Sequence, residues 1–363
     1  MKTRNYGIDF LRIISMIMIV SLHFLRHGGV LGAAPFLSVH YELVWMLEIL
    51  AFCAVNCYAM ISGFVGIDSH FRFSNIIALW FHVFFYGFVI TAFYSVWLPD
   101  TVHVENWLAA FFPVTQKEYW YFTAYFGIYF FIPFINHLLN TLSHKQLKSL
   151  LAVILIIFSL LPTITQEDIF FTSNGYSPLW LMLMYIFGAC IKKCSNIVHS
   201  FNNKLLFFLY LNSAFITWGW KLINEYYFLH CKNSSVSNIF FINYTSPTII
   251  IMSVSLLIFF SKLELKQKQK KMITKFAPYT FGVYLIHDHP LIRANLMNNR
   301  FAFIINHSSV TTFLLFISFV LSIYFFCTFV DYIRNIIFKL LHLPQLINKM
   351  STLLKLLKLH ASN

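Results

Sequence analysis

Residues 6–28 read YGIDFLRIISMIMIVSLHFLRHG. Most of them are Ile, Leu, Met, Phe or Val, and the run is long enough to cross a bilayer, which takes about 20 apolar residues. Yet Asp9 and Arg12 stand near one end and His23 near the other. Each ionisable group placed in hydrocarbon costs a few kcal/mol. A membrane helix that keeps three of them asks for a use.

The rest of the chain is built like this stretch. Of 363 residues, 59% are hydrophobic and only 11% charged, and the mean hydropathy is +0.70. That is too little charge to cover a soluble protein of this length, so the composition implies an all-α, polytopic membrane protein. The net charge of +13 does not point to nucleic acid, because the basic residues lie between apolar runs and suit a membrane surface. Apolar stretches predict about ten transmembrane helices, near 8–25, 43–66, 77–98, 119–139, 148–164, 177–192, 204–223, 246–262, 277–297 and 310–338. With the N-terminus inside, only six of the 26 basic residues (Arg26, Lys117, Lys221, Lys232, Arg293, Arg300) fall outside. Arg12 is left within the first span and the other nineteen, Lys2 and Arg334 among them, fall inside. The expected orientation is N-in/C-in. The first span runs on without a small-residue cleavage site, so it reads as a helix and not a removed signal. Cys53/Cys57 and Cys190/Cys194 are spaced as small hydrophobes on apolar helices, and no metal site is expected.

Two segments suit the membrane surface. KLELKQKQKKMITK (262–275) is a basic loop or short helix against anionic headgroups. LPQLINKMSTLLKLLKLH (343–360) places Leu346, Ile347, Met350, Leu353, Leu354 and Leu357 on one face, with Lys349, Lys355 and Lys358 elsewhere. That pattern predicts an interfacial amphipathic helix. The chain thus divides into a transmembrane domain over 1–340 and a cytoplasmic tail over 341–363.

In the first span, Arg12 and His23 are eleven residues apart, three turns plus about 20° on a helix, so they share a face. Their separation along the axis is roughly 16 Å, about half the hydrocarbon thickness. Asp9, three residues before Arg12, can pair with it. One reading makes Arg12 a snorkelling end charge and His23 an interfacial histidine. The other gives the pair chemistry: a permanent cation holds phosphate at the inner mouth, and a neutral imidazole deeper in the membrane takes a proton from a hydroxyl.

These residues carry a resemblance. The chain resembles the membrane-bound acyltransferase family 3, which includes bacterial O-acetyltransferases acting on surface polysaccharides. R-x4-D-x2-R-x10-H (Arg4, Asp9, Arg12, His23) is similar to the family's first-helix signature, and AVNCYAMISGF (54–64) to its second-helix motif. EYWYFTAYFGIYFFIPFI (118–135) resembles its Trp-Tyr/Phe helix ending in Pro, and TFGVYLIHDHP (280–290) its late YLIH helix. Family members usually carry several basic residues soon after the Ser-Gly-Phe motif, whereas this chain has Arg72 with Ser69 and His70 nearby. It also lacks the extracytoplasmic esterase-like domain that some relatives carry.

The resemblance implies a multi-pass protein of the bacterial cytoplasmic membrane with no permanently bound cofactor. Acyl-CoA, most often acetyl-CoA, would be the donor, with its nucleotide near Arg12 and Arg72 and its pantetheine arm along the bundle core. The arm and the Arg–His separation are both on the order of 15–20 Å. His23 would be general base or transient acyl carrier, and Asp9 would orient Arg12. Ser62 is a further donor-side candidate, although Ser62-Gly63 also suits close helix approach.

Other polar residues extend the candidate site. Glu48 and Asn56 lie eight apart on one face of the second span, and Glu48 either orients His23 or is an interfacial charge. Trp120 and Tyr121 either belong to an aromatic belt or stack on a sugar. Of His287, Asp288 and His289, the resemblance favours His287 for the acceptor side, the alternative being a helix–helix hydrogen bond. The expected partners are acyl-CoA, a polysaccharide or glycolipid acceptor, membrane lipid and polysaccharide-synthesis proteins, with no nucleic acid. An exopolysaccharide, a lipid-linked repeat unit, a cell-wall polymer and an antibiotic sugar all fit as acceptor. A transporter or flippase of a lipid-linked glycan is the alternative class, but the chain shows neither an internal repeat nor matched helix breaks.

Overall fold

The computed structural model describes residues 4–198, 200–232 and 237–360, with the side chains of 196, 197 and 354–360 left out. Lys2 therefore lies outside the described residues, as do the side chains of Leu354, Lys355, Leu357 and Lys358. The fold is all-α, with no strand among the described residues.

The helices begin where the sequence supplies caps. Asn5 accepts a hydrogen bond from the Ile8 amide at the start of α1 (Tyr6–Arg26), and Ser38 accepts one from Tyr41 at the start of α2 (Val39–Phe52). Cys53 joins α2 to α3 (Ala54–Gly66), and the pair counts as one span, Val39–Gly66. The chain continues through α4 (Phe73–Trp97), α5 (Trp120–Tyr129), α6 (Ile132–Thr141) and α7 (His144–Thr165). Then come α8 (Pro178–Lys193), α9 (Asn203–Lys232), α10 (Pro247–Ser261), α11 (Thr280–His287), α12 (Ser309–Leu340) and α13 (Leu343–His360).

Among the described residues, six helices are long and apolar enough to cross a membrane, or seven if α5 and α6, bent by 59°, make one span. Pro133, near the start of α6, lacks the amide that would continue α5. The other three expected spans are short: 16 residues for α8, 15 for α10 and 8 for α11. The 277–297 stretch breaks because His289 precedes Pro290 and adopts φ −57°, ψ 132°, outside the helical region. Most of α8 is buried against protein, so its length is not tied to lipid thickness.

Several charges that the apolar scan assigned only to a side of the membrane are buried in ion pairs. Lys221, assigned to the outer side, pairs with Glu225 inside α9, and the two are 1% and 0% exposed. Arg334, placed inside as a surface charge, is buried and bonded through two nitrogens to Asp331, each at 2.9 Å. In both pairs, polar partners one turn apart remove the desolvation cost that a lone charge would carry.

Ser62-Gly63 does bring helices together. A Cβ on Gly63 would lie 1.9 Å from the Tyr185 carbonyl oxygen, and one on Gly188 would lie 1.9 Å from that of Met60. The backbones of α3 and α8 therefore touch, which small residues allow. Gly63→Ala is expected to force them apart and cost about 1–3 kcal/mol. A thermal melt of the detergent-purified protein checks this; an unchanged midpoint contradicts the close crossing.

Candidate active site

Arg12 and His23 lie on one helix, but they open onto different spaces. His23 lines a cavity of about 320 Å³ with Arg26, Trp120, Tyr121, Asp288 and Arg293. Arg12 lines two others, of about 670 Å³ and 590 Å³.

Around His23 the hydrogen bonds fix the proton positions. His287 Nδ1 lies 2.6 Å from the Val283 carbonyl oxygen. A carbonyl only accepts, so Nδ1 carries the proton and Nε2 of the neutral ring is left as an acceptor. His23 Nδ1, 2.9 Å from that Nε2, donates to it. The lone pair of His23 is thereby on Nε2, in a ring that lines the cavity. Asp288 Oδ1 is 3.5 Å from His23 Nδ1 and 3.3 Å from Arg293 Nη1. A proton gained at Nε2 would make an imidazolium with a carboxylate already beside it. His287, 2% exposed, sits behind His23 and not in the cavity wall. It is a positioning residue.

Glu48 does not orient His23. Its Oε1 accepts from Arg26 Nε at 2.5 Å, and its side chain is fully buried. The place expected for Glu48 is filled by Asp288. Asn56 is also fully buried and stays out of the cavity wall. It donates to the Tyr244 carbonyl (2.8 Å) and accepts from Trp180 Nε1 (2.9 Å), so it braces Tyr244. Trp120 and Tyr121 do line the cavity. Trp120 begins an aromatic arc, with ring centroids 4.8 Å apart to Tyr176, 4.9 Å on to Tyr244 and 4.8 Å on to Phe52. The Arg26 guanidinium stands 5.4 Å from the Phe52 ring. Glu118, just before α5, lies 3.4 Å from His289 Nε2. Burial, opposed by Arg293, pushes its carboxyl up to about 7, so the charge behind His289 changes across neutrality.

At the other end, Asp9 bridges two cations, Arg4 at 2.5 Å and Arg12 at 3.1 Å. Arg4, Arg12 and Lys192 share the 590 Å³ cavity. Ser62, Ser69 and His70 line the 670 Å³ cavity beside Arg12. Arg72 is exposed and absent from both walls; its carbonyl accepts from the Tyr129 hydroxyl at 2.8 Å. Lys192, and not Arg72, joins Arg4 and Arg12 in lining the 590 Å³ cavity.

The path expected for the pantetheine arm along the bundle core does not appear as one continuous cavity. The His23 cavity and the 670 Å³ cavity share no lining residue. Tyr58 and Tyr121 face the first, Ser62 and Tyr125 the second. Each pair is one turn apart on its helix, and the Tyr121 and Tyr125 rings stack with centroids 6.4 Å apart. One layer of tyrosines divides the two spaces. The hydroxyl of Tyr121 is buried there without a hydrogen-bond partner, an arrangement that a polar occupant would relieve.

Comparison with known families matches residues 5–331 to the model of acyltransferase family 3, described as an acyltransferase domain. Comparisons with curated proteins and with solved structures give no match. The chain belongs to acyltransferase family 3: it is a membrane acyltransferase.

Proposed function

We propose that this membrane acyltransferase moves an acyl group, acetyl in the first instance, from acyl-CoA to a hydroxyl of a polysaccharide or glycolipid. The observation that carries the reading is the neutral His23 tautomer. Its basic Nε2 is in a cavity walled by Trp120, Tyr176 and Tyr244. Aromatic faces of this kind pack on sugar rings, and a neutral imidazole is suited to take a hydroxyl proton. The cationic set Arg4, Arg12 and Lys192 at the opposite end fits donor phosphates. Residues 1–340 act as the transmembrane domain, and the tail over 341–363 lies along the membrane surface. The Arg12 end faces the cytoplasm and the His23 end faces out, in a bacterial cytoplasmic membrane.

The chemistry balances with this chain's own groups. The acceptor hydroxyl gives its proton to His23 Nε2 as its oxygen attacks the thioester carbonyl. The tetrahedral intermediate expels the thiolate as the C–S bond breaks. The imidazolium returns the proton to sulfur, leaving ester and free thiol. Asp288 steadies the imidazolium between the two transfers. Reaching His23 requires the thioester to pass Tyr121, whose unpartnered hydroxyl can bind its carbonyl.

Membranes containing the protein, supplied with radiolabelled acetyl-CoA, are expected to place label in glycan, and Arg12→Ala to lose most of it at low donor concentration. Saturating donor restores part of the Arg12→Ala rate if the guanidinium acts in binding. Label-free movement of glycan across the membrane, with no incorporation, overturns the reading in favour of transport.

A further inference from the structure

We infer that His23, His27 and Asp288 form a binding site for a divalent transition metal of the zinc type, and that the metal inhibits the enzyme. One ligand atom from each of the three lies within 4.8 Å of the others. All three line the same cavity, so a hydrated ion can reach them. His23 and His27 are one turn apart where α1 ends, and their rings are 5.4 Å apart. The His27 amide still donates to the His23 carbonyl at 2.8 Å, which keeps both imidazoles on one helical face.

The donor set selects the ion. Two imidazoles and one carboxylate suit zinc and its neighbours, whereas magnesium and calcium prefer all-oxygen cages. Tetrahedral zinc at ordinary bond lengths separates its ligand atoms by about 3.4 Å. His23 Nδ1 and Asp288 Oδ1 are already 3.5 Å apart, so the adjustments are a turn of the His23 ring away from His287 Nε2, now 2.9 Å from Nδ1, and a rotation of the His27 side chain. Water from the cavity completes the shell. Two cations oppose the ion: Arg293, which pairs with Asp288 at 3.3 Å, and Arg26 in the same wall. They lower the affinity below that of the same three ligands without cations beside them.

Inhibition follows from the tautomer. Metal at Nδ1 displaces the proton now donated to His287, and the ring is left protonated at Nε2. The lone pair that acyl transfer needs is then gone. Only this consequence rests on the proposed function; the binding itself does not.

The test uses the untagged full-length protein in detergent, with zinc chloride as the probe, read by isothermal titration calorimetry. One zinc per chain is expected in the wild type, with no response to magnesium. His27→Ala is expected to weaken binding at least about tenfold, and so is Asp288→Asn, which keeps the side chain's shape. Cys194→Ser controls for the Cys194–His144 pair, 3.7 Å apart at the surface, and should leave the affinity unchanged. Wild-type protein that binds no zinc, or His27→Ala that binds it as tightly as wild type, overturns the site. In the transfer assay, zinc should inhibit the wild type, and His27→Ala should raise the half-inhibiting concentration by the same factor as its affinity loss. Binding that follows His27 while transfer ignores zinc would keep the site and remove His23 from the chemistry.

Discussion

His23→Ala is expected to lower acyl transfer by about 10²–10⁴-fold, the usual range for loss of a general base, with the amount of folded protein unchanged. The side chain is partly open to the cavity, and its polar contacts are with His287 and Asp288, so its removal leaves helix packing largely intact. The loss should fall on turnover and not on donor KM, because the cationic set belongs to other cavities. His287→Ala should cost less, since it frees the tautomer without deleting the base. Label incorporation by purified membranes, normalised to folded protein, measures all of this. A well-folded His23→Ala protein that transfers at the wild-type rate refutes the assignment.

Asp331→Ala is the substitution with the largest expected effect on stability. The carboxylate is 0% exposed, and it accepts from His82 Nε2 at 2.7 Å and the Tyr86 hydroxyl at 2.8 Å. Arg334 supplies two more bonds at 2.9 Å each. Truncation leaves a guanidinium, an imidazole and a phenol without their acceptor in a low-dielectric interior, a loss of about 3–5 kcal/mol. Asp331→Asn keeps the shape and part of the bonding, so it should melt between alanine and wild type. Activity should fall with stability, because Asp331 packs on Gly282 of α11, the helix that holds Val283 and His287. Size-exclusion melts of the three proteins give the order, and equal midpoints contradict it.

Much of the site was legible along a single helix. Eleven residues put Arg12 and His23 on one face, three put Asp9 beside Arg12, and Ser62-Gly63 announced a close crossing. What failed to show was pairing between distant parts of the chain. Glu48 and Asp288 are both intramembrane acids, and local spacing cannot say which meets His23; the contact with Asp288 joins residues 265 positions apart. Lys221–Glu225 and Asp331–Arg334 are one turn apart and could have been read as pairs, but an apolar scan treats every charge as the end of a span. The same scan records how apolar a stretch is, not whether lipid or protein covers it, so it did not show that α8 and α10 are short and largely buried. Pro290 marked the end of α11 in plain view.

The tyrosine layer between the two cavities has a consequence for the cell as a whole. Each elementary charge that crosses a membrane dissipates about 2.3 kcal/mol per 100 mV, so a permanently open bore would drain the gradients held across that membrane. The stacked Tyr121 and Tyr125 rings, one facing each cavity, keep the two spaces apart. A leak current through a variant with Tyr121 and Tyr125 cut back to alanine would show that plug at work.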